Sequence, residues 1–362
     1  MAPLPKVESA FTADTAWSSS VGDGIGDFYS QLKTVVEEDR IYAAARDGDV
    51  TAFERESGKE LWSVDLADLP INADKRSARL SGGLVSRYGK LFLGSENGVV
   101  YALNEANGEV LWQTTVPGEV VASPAVEDGR VVVLTTSGRL MALDTDEGKL
   151  QWTLSEEQPP LTLRSASTPV ITNGAVLYGR ADGKVGIALL SNGQPVRQSK
   201  VADPRGATEL DRMVDVDARP LIAGDELYAI AYNGQLMARK LMTGDEVWKR
   251  KYSGYRDLAM TGNAIVLTDS RSHLFAVDRR NGLELWSNTQ LENRTVTAPV
   301  VLGDYVVVGD VEGYLYWLDR TDGSIKAMQQ LDSSGLYAAP LVDGDTLYVQ
   351  SRGGKLYAIK RP

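Results

Sequence analysis

Residues 47–66, DGDVTAFERESGKELWSVDL, hold a turn dipeptide, an apolar strand, a polar turn and a tryptophan. The pattern returns at 97–116, NGVVYALNEANGEVLWQTTV, and at 233–252, NGQLMARKLMTGDEVWKRKY. Written as Gly-x3-Ala-x5-Gly-x3-Trp, it fits Gly48/Ala52/Gly58/Trp62, Gly98/Ala102/Gly108/Trp112, Gly138/Ala142/Gly148/Trp152 and Gly234/Ala238/Gly244/Trp248. With Ser272 replacing the first glycine it fits Ala276/Gly282/Trp286, and Gly183/Ile187/Gly193/Arg197 and Gly313/Trp317/Gly323/Ala327 are degenerate copies. A last copy opens at Gly354/Ala358 and reaches Pro362 without its tryptophan, while TAWSSSV at 15–21 supplies Trp17 from the other end. Self-similarity at such a period marks a repeat architecture. An open solenoid needs capping repeats; a last unit completed by the first strand closes a ring instead.

Local signals give each unit four antiparallel strands. Asp47-Gly48, Asn97-Gly98, Asp182-Gly183 and Asn233-Gly234 predict two-residue hairpins with type I′ turns. Fourteen positions before the turn glycine a proline recurs, at Pro124, Pro169, Pro220, Pro299 and Pro340. Proline cannot donate to a ladder, so it marks an edge strand, here the innermost one beside a central channel. The expectation is an all-β, eight-bladed β-propeller of four-stranded antiparallel blades, its ring closed by the N-terminal strand. Residues 1–14 read as an N-terminal tail and 15–362 as one propeller domain.

The tryptophans could be stacking platforms for a cofactor or sugar, or could fill the gaps between blades. One tryptophan per repeat favours packing, because a ligand site needs one asymmetric constellation. The glycines likewise serve turns, since none falls in a GxGxxG or GxxxxGK string.

Composition narrows the chemistry. The formal charge is −11, which disfavours a nucleic-acid partner held by phosphate contacts. No apolar run reaches the length of a membrane-spanning helix, and MAPLPKVESAFTADTAW has no signal-peptide pattern. Cysteine is absent and His273 is the one histidine, so thiolate metal sites, haem attachment, cysteine nucleophiles and multi-histidine metal sites are excluded. His273 itself, beside a hairpin turn, is expected to be an exposed turn residue. No catalytic, cofactor-binding or metal-ligating residues are assigned.

The Ala-x5-Gly-x3-Trp phrase resembles the repeat of pyrroloquinoline-quinone dehydrogenases. That resemblance implies a quinone-dependent oxidoreductase as the alternative function, but the family's adjacent cysteine pair is missing. A wider resemblance rests on FTADTAWSSSVGDGIGDFYSQL (11–32), TELDRMVDVDARP (208–220), AYNGQL (231–236), VGDVEGYLYWLDRTDG (308–323) and LDSSG (331–335). These stretches, loops included, are similar to the BamB family, the assembly-factor lipoproteins of the outer-membrane β-barrel assembly machinery. The resemblance implies a non-enzymatic scaffold at the periplasmic face of the outer membrane, anchored by a lipidated N-terminal cysteine. Signal peptide and cysteine are both missing here, so the expectation is a soluble chain opened by an added Met1 and monomeric in isolation.

The repeat also shows where it is interrupted. SEEQPPLTLRSAST (155–168) and ADPRGATELDRMVDVDAR (202–219) each join an outer strand to the next inner strand, so both should emerge on one rim as neighbours. Leu161 and Leu163 offer apolar anchors, Arg164 a planar donor, and Asp215 and Asp217 acceptors, a mixture suited to a protein interface. Alternatively the loops only pack on each other through an internal Arg–Asp pair. In the family that the chain resembles, Leu-x-Leu-Arg and Asp-x-Asp motifs contact a POTRA domain of the central barrel subunit, BamA. The resemblance implies that role for Leu161, Leu163, Arg164, Asp215 and Asp217, to which Arg212 is added; by analogy of fold alone, exposed blade edges could also pair with strands of nascent outer-membrane proteins. The insertion LADLPINADKRSARLSGG (66–83) receives no role.

Overall fold

The middle strands of each repeat are apolar on both faces, because both faces are covered. Along Arg139–Asp144, Leu140 and Ala142 pack toward the following repeat, while Met141 and Leu143 pack toward the preceding one. A strand alternates its side chains between faces, so a continuous apolar run places it between two neighbours. The computed structural model, which describes residues 1–362, resolves this into eight consecutive antiparallel sheets arranged as the blades of a propeller. Eight apolar clusters occupy the eight seams, the last joining Ile41 and Phe53 of blade 1 to Tyr348 and Leu356 of blade 8.

Blade 3 shows the unit, running from the inner strand Ala125–Glu127 through Arg130–Leu134 and Arg139–Asp144 to the outer strand Leu150–Ser155. The recurrent prolines sit one residue before the inner strands, as Pro124 does here. The inner strands surround a channel lined by Leu221, Met260, Val300 and Leu341, with Pro299 and Pro340. Blade 8 takes its outer strand, Thr15–Ser20, from the N-terminus, with Trp17 opposite Ala358. Ala52, Ala102, Ala142, Ala238 and Ala276 face the other tryptophans of the frame in the same way.

Each of the six tryptophans on an outer strand docks against the second glycine of the following blade. A Cβ on Gly58, Gly108, Gly148, Gly193, Gly282 or Gly323 would lie 2.3–2.6 Å from the indole of the preceding blade. The indole N–H also donates to a carbonyl of that neighbour, as Trp112 does to Thr145 at 3.0 Å and Trp248 to Arg279 at 2.7 Å. Arg197, standing where blade 4 should carry tryptophan, reproduces both contacts: its guanidinium donates to the Met242 carbonyl at 3.0 Å and covers Gly244.

At blade 7, where Ala327 takes the tryptophan position, the N-terminal segment fills the seam. Phe11 packs edge-on against Trp317 and tilted against Tyr305, with ring centroids 5.8 and 5.2 Å apart. The Ala10 N–H donates to Lys326 and the Ala2 N–H to Glu292. Residues 2–13 therefore run along the outer strand of blade 7, from the loop after blade 6, past Val7 in the blade 6/7 seam, to Phe11 and Ala13 in the blade 7/8 seam.

The turns differ from the expected type I′. Only one residue of each of the four Asx-Gly pairs has positive φ, namely Gly48 (+155°), Gly98 (+71°), Gly183 (+81°) and Asn233 (+47°). The Gly98 N–H donates to Ser95 at 3.1 Å, which makes a three-residue loop with one left-handed position. Side chains reward the longer loop, since Ser95, Thr135, Asp310 and Ser351 each accept from the N–H four residues on. The 66–83 insertion forms two short 3-10 turns, and Asn72 anchors it by donating to Leu66 and to the Tyr101 hydroxyl.

The docking is testable in the ring. Trp112→Ala should cost about 3–5 kcal/mol in urea denaturation. Gly148→Ala, strained by its φ of +67° as well as by the indole, should also destabilise. The double variant should lose less than the sum of the two; full additivity would contradict the contact.

Candidate partner-binding site

In a four-stranded antiparallel blade the connections alternate between rims. The loop from each outer strand to the next inner strand therefore shares a rim, here the upper one, with the hairpin between the second and third strands. The upper rim gathers residues 155–168, residues 202–219 and the hairpins at 96–98 and 180–183. The two long loops are neighbours, as the sequence suggests. The Leu163 N–H donates to Asp215 Oδ1 at 2.9 Å, and the Ser167 hydroxyl to the Ala218 carbonyl at 3.3 Å.

The candidate residues divide by exposure. Leu161 and Arg164 are exposed, Leu163 is half-buried and Arg212 is exposed, whereas Asp215 and Asp217 are 1% and 8% exposed. The aspartates are thus not the surface acceptors that the sequence reading suggests. Burial pushes the Asp215 carboxyl up to about 6 against the pull of the Leu163 N–H. Burial and then the neighbouring Asp215 hold Asp217 well above the ordinary carboxylate range. One oxygen of each, Oδ2, has no hydrogen-bond partner.

Their stretch is held where it is by backbone contact. The Val216 N–H donates to the Arg180 carbonyl at 3.0 Å. A Cβ on Gly179 would stand 1.8 Å from the Val216 carbonyl oxygen, so glycine is required there.

Arg164 makes no pair with either aspartate. Its guanidinium grips Glu119 through Nε at 3.2 Å and Nη2 at 3.0 Å, and Nη2 also reaches Glu96 at 3.0 Å. Glu96, whose side chain is 4% exposed, takes a second, bidentate pair from Arg46 at 3.0 and 2.9 Å. Burial alone would raise the Glu96 carboxyl, but the hydrogen bonds from Arg46 and Arg164 bring it below its ordinary value. Charge-assisted bidentate pairs fix geometry as well as charge, so Arg164 presents a held guanidinium edge. Arg212 instead bonds within its own loop, to the Gly206 carbonyl and Glu209, and joins none of the others.

Several members of the site carry no motif. Glu96 and Glu119 lie on the same rim by strand alternation and opposite in charge to Arg164, which is the signal that topology plus charge provides. The segment 22–34 gives no such signal. Gln31–Leu32 pairs in parallel with Gly82–Gly83, adding a fifth strand to blade 2 at the channel. Lys33 crosses to Asp257 at 2.9 Å. The Tyr29 hydroxyl and Gln31 both bond to the Ser165 hydroxyl, at 3.1 and 3.0 Å, which ties the segment to the Leu163 loop.

His273 departs from the expected exposed turn. Its side chain is 12% exposed, with Nδ1 3.0 Å from Asp269 and Nε2 3.7 Å from Glu292, because the hairpin packs against the loop that follows blade 6.

Comparison with known proteins adds identity to this geometry. The family model described as "Outer membrane protein assembly factor BamB" matches residues 46–288 and 285–361. The chain is 46% identical to the BamB of Vibrio cholerae over 306 residues, covering 84% of this chain and 78% of that protein. It is 41% identical to the BamB of Escherichia coli over 301 residues, covering 83% and 77%. The crystal structure of BamB from Moraxella catarrhalis superposes with a TM-score of 0.87 at 25% identity, covering 96% of this chain and all of that one. A quinohemoprotein alcohol dehydrogenase from Comamonas testosteroni superposes at 0.76 with 12% identity, covering 96% and 76%, and shares the fold alone.

The buried aspartate gives a pH signature. Because the folded-state carboxyl of Asp215 sits near 6 and an unfolded one near 3.9, stability is lost as pH rises between these values, and the loss stays constant above them. Asp215→Asn should therefore add about 2 kcal/mol at pH 7.5 and little at pH 4, read by urea denaturation. An equal effect at both pH values would contradict the burial.

Proposed function

Because the chain belongs to the BamB family of outer-membrane protein assembly factors, we propose that its upper rim binds a periplasmic POTRA domain of the central barrel subunit, BamA. The chain is a non-enzymatic scaffold subunit of the assembly machinery, and its rigid ring holds that domain in place for incoming outer-membrane proteins. In this reading Leu161 and Leu163 enter the partner surface and Arg164 donates to its acceptors. Asp215 and Asp217 act from beneath, shaping the loop that carries them, and Arg212 is a peripheral contact. The reading places the chain at the periplasmic face of the outer membrane, held there by an N-terminal lipid.

One observation carries the proposal. The two interruptions of the repeat meet through the Leu163–Asp215 hydrogen bond, while leucine and arginine side chains remain exposed on a pinned loop. A scaffold places binding residues on loops over a rigid frame, and apolar anchors beside arginine are the residues that dominate interfaces. No second function is favoured by a specific feature, since the likeness to the quinoprotein is one of architecture.

Leu163→Asp should weaken binding to purified BamA periplasmic domains at least about tenfold, measured by calorimetry, with the far-ultraviolet dichroism unchanged. Arg164→Glu should also weaken it, by placing a third carboxylate against Glu96 and Glu119. Native affinity in both variants would remove the site.

A further inference from the structure

Beside the Leu163 loop the upper rim opens into a cleft of about 610 Å³. Its walls are tyrosines from four separate elements: Tyr29, Tyr232, Tyr255 and Tyr337. They form a connected series. Tyr29 meets Tyr337 edge-on at 5.3 Å, the Arg256 guanidinium lies 4.8 Å from Tyr337 and 5.1 Å from Tyr255, and Tyr255 meets Tyr232 at 6.4 Å. All four rings are only half-buried. Asp217 and Ser165 lie among them, and Leu163 and Arg164 belong to the same lining.

Three features specify an occupant. Tyrosine walls give a large amphipathic contact area at small entropic cost, because each ring has two torsions and is already packed against its neighbours. Part of the lining is polar, and Asp217, more than nine-tenths buried, keeps one carboxyl oxygen without a partner. The cleft is continuous with Leu163 and Arg164, so whatever seats on those residues extends over its mouth. An apolar ring with a donor at its end satisfies the walls and the acceptor together.

Resting on the reading above, we propose that this cleft is the second half of the partner surface and receives a tryptophan or tyrosine side chain projecting from the bound domain. The ring packs against Tyr232 and Tyr255, and its N–H or O–H points toward Asp217. The interface then spans the channel mouth, from the loop after blade 3 to the loop after blade 5. Leu163 and Arg164 form one edge, and the tyrosines form the pocket that takes the anchor.

The test titrates the full chain with the purified periplasmic domains of its own barrel subunit. It compares Tyr232→Ser, Tyr255→Ser, Leu163→Asp and Met242→Ser, the last an exposed residue on the opposite rim. Sedimentation of each chain alone and its melting temperature are recorded alongside. Since each tyrosine lies at a half-buried position, folding should survive; Tyr255→Phe, which keeps the ring, should bind as the native chain does. The expected result is a loss of about tenfold or more in affinity for Tyr232→Ser and Tyr255→Ser, with Met242→Ser unchanged. If Leu163→Asp weakens binding while both tyrosine variants bind normally, the cleft is overturned and the loop site stands. If none of the variants weakens binding, the loop site itself is lost. If the tyrosine variants alter only self-association, the cleft serves a second copy of the chain and the proposal fails.

Discussion

The indole of one blade seated in the glycine notch of the next is the constraint on which the ring depends. It joins three requirements in one place: a flat apolar side chain, a neighbour without a Cβ, and a carbonyl to accept the indole N–H. The left-handed φ of the glycine turn, +67° at Gly148, would favour glycine even without the indole. Each position is thus fixed twice, by backbone conformation and by close approach. Repeating the contact around the circle makes every blade the mould for its neighbour, and closure by Thr15–Ser20 leaves no terminal repeat to cap.

A ring fixed in this way leaves its upper rim able to carry long loops that present side chains outward, even as Val214, Val216 and Ala166 of those loops fill the seams beside blade 4. The Leu163 loop is held by Asp215, by Tyr29 through Ser165, and by Glu96 and Glu119 through Arg164. Those anchors come from blades 2, 4 and 5 and from the N-terminal segment, so the loop's shape reports the correct assembly of the ring. Neutralisation of Arg164 by two glutamates lowers its long-range field and leaves a directed donor edge. Such a device suits orientation of a partner more than attraction of it.

The repeat was legible because each of its residues answers to a local rule with a fixed spacing. Even the degenerate copies follow the logic, as Arg197 shows by replacing both the packing and the hydrogen bond of tryptophan. Where the rule lapses, at Ala327, the substitute is Phe11, more than three hundred positions away, and no spacing in the sequence points to it. The same holds for the segment that crosses the channel mouth, whose partners Ser165 and Asp257 lie in distant loops. Leu161, Leu163 and Arg164 could be read from an interruption of the period together with a resemblance. The burial of Asp215 and Asp217 could not, because alternating Val214, Val216 and Ala218 look like a strand yet form a backbone-anchored loop under Leu163.

Hydrogen–deuterium exchange of the chain, alone and saturated with the BamA periplasmic domains, tests the central claim most directly. The account predicts new protection on the upper rim, at residues 161–165 and in the loops around Tyr232 and Tyr255, with the outer strands and the opposite rim unchanged. Protection confined to outer strands such as Leu150–Ser155, or to the opposite rim, would contradict it.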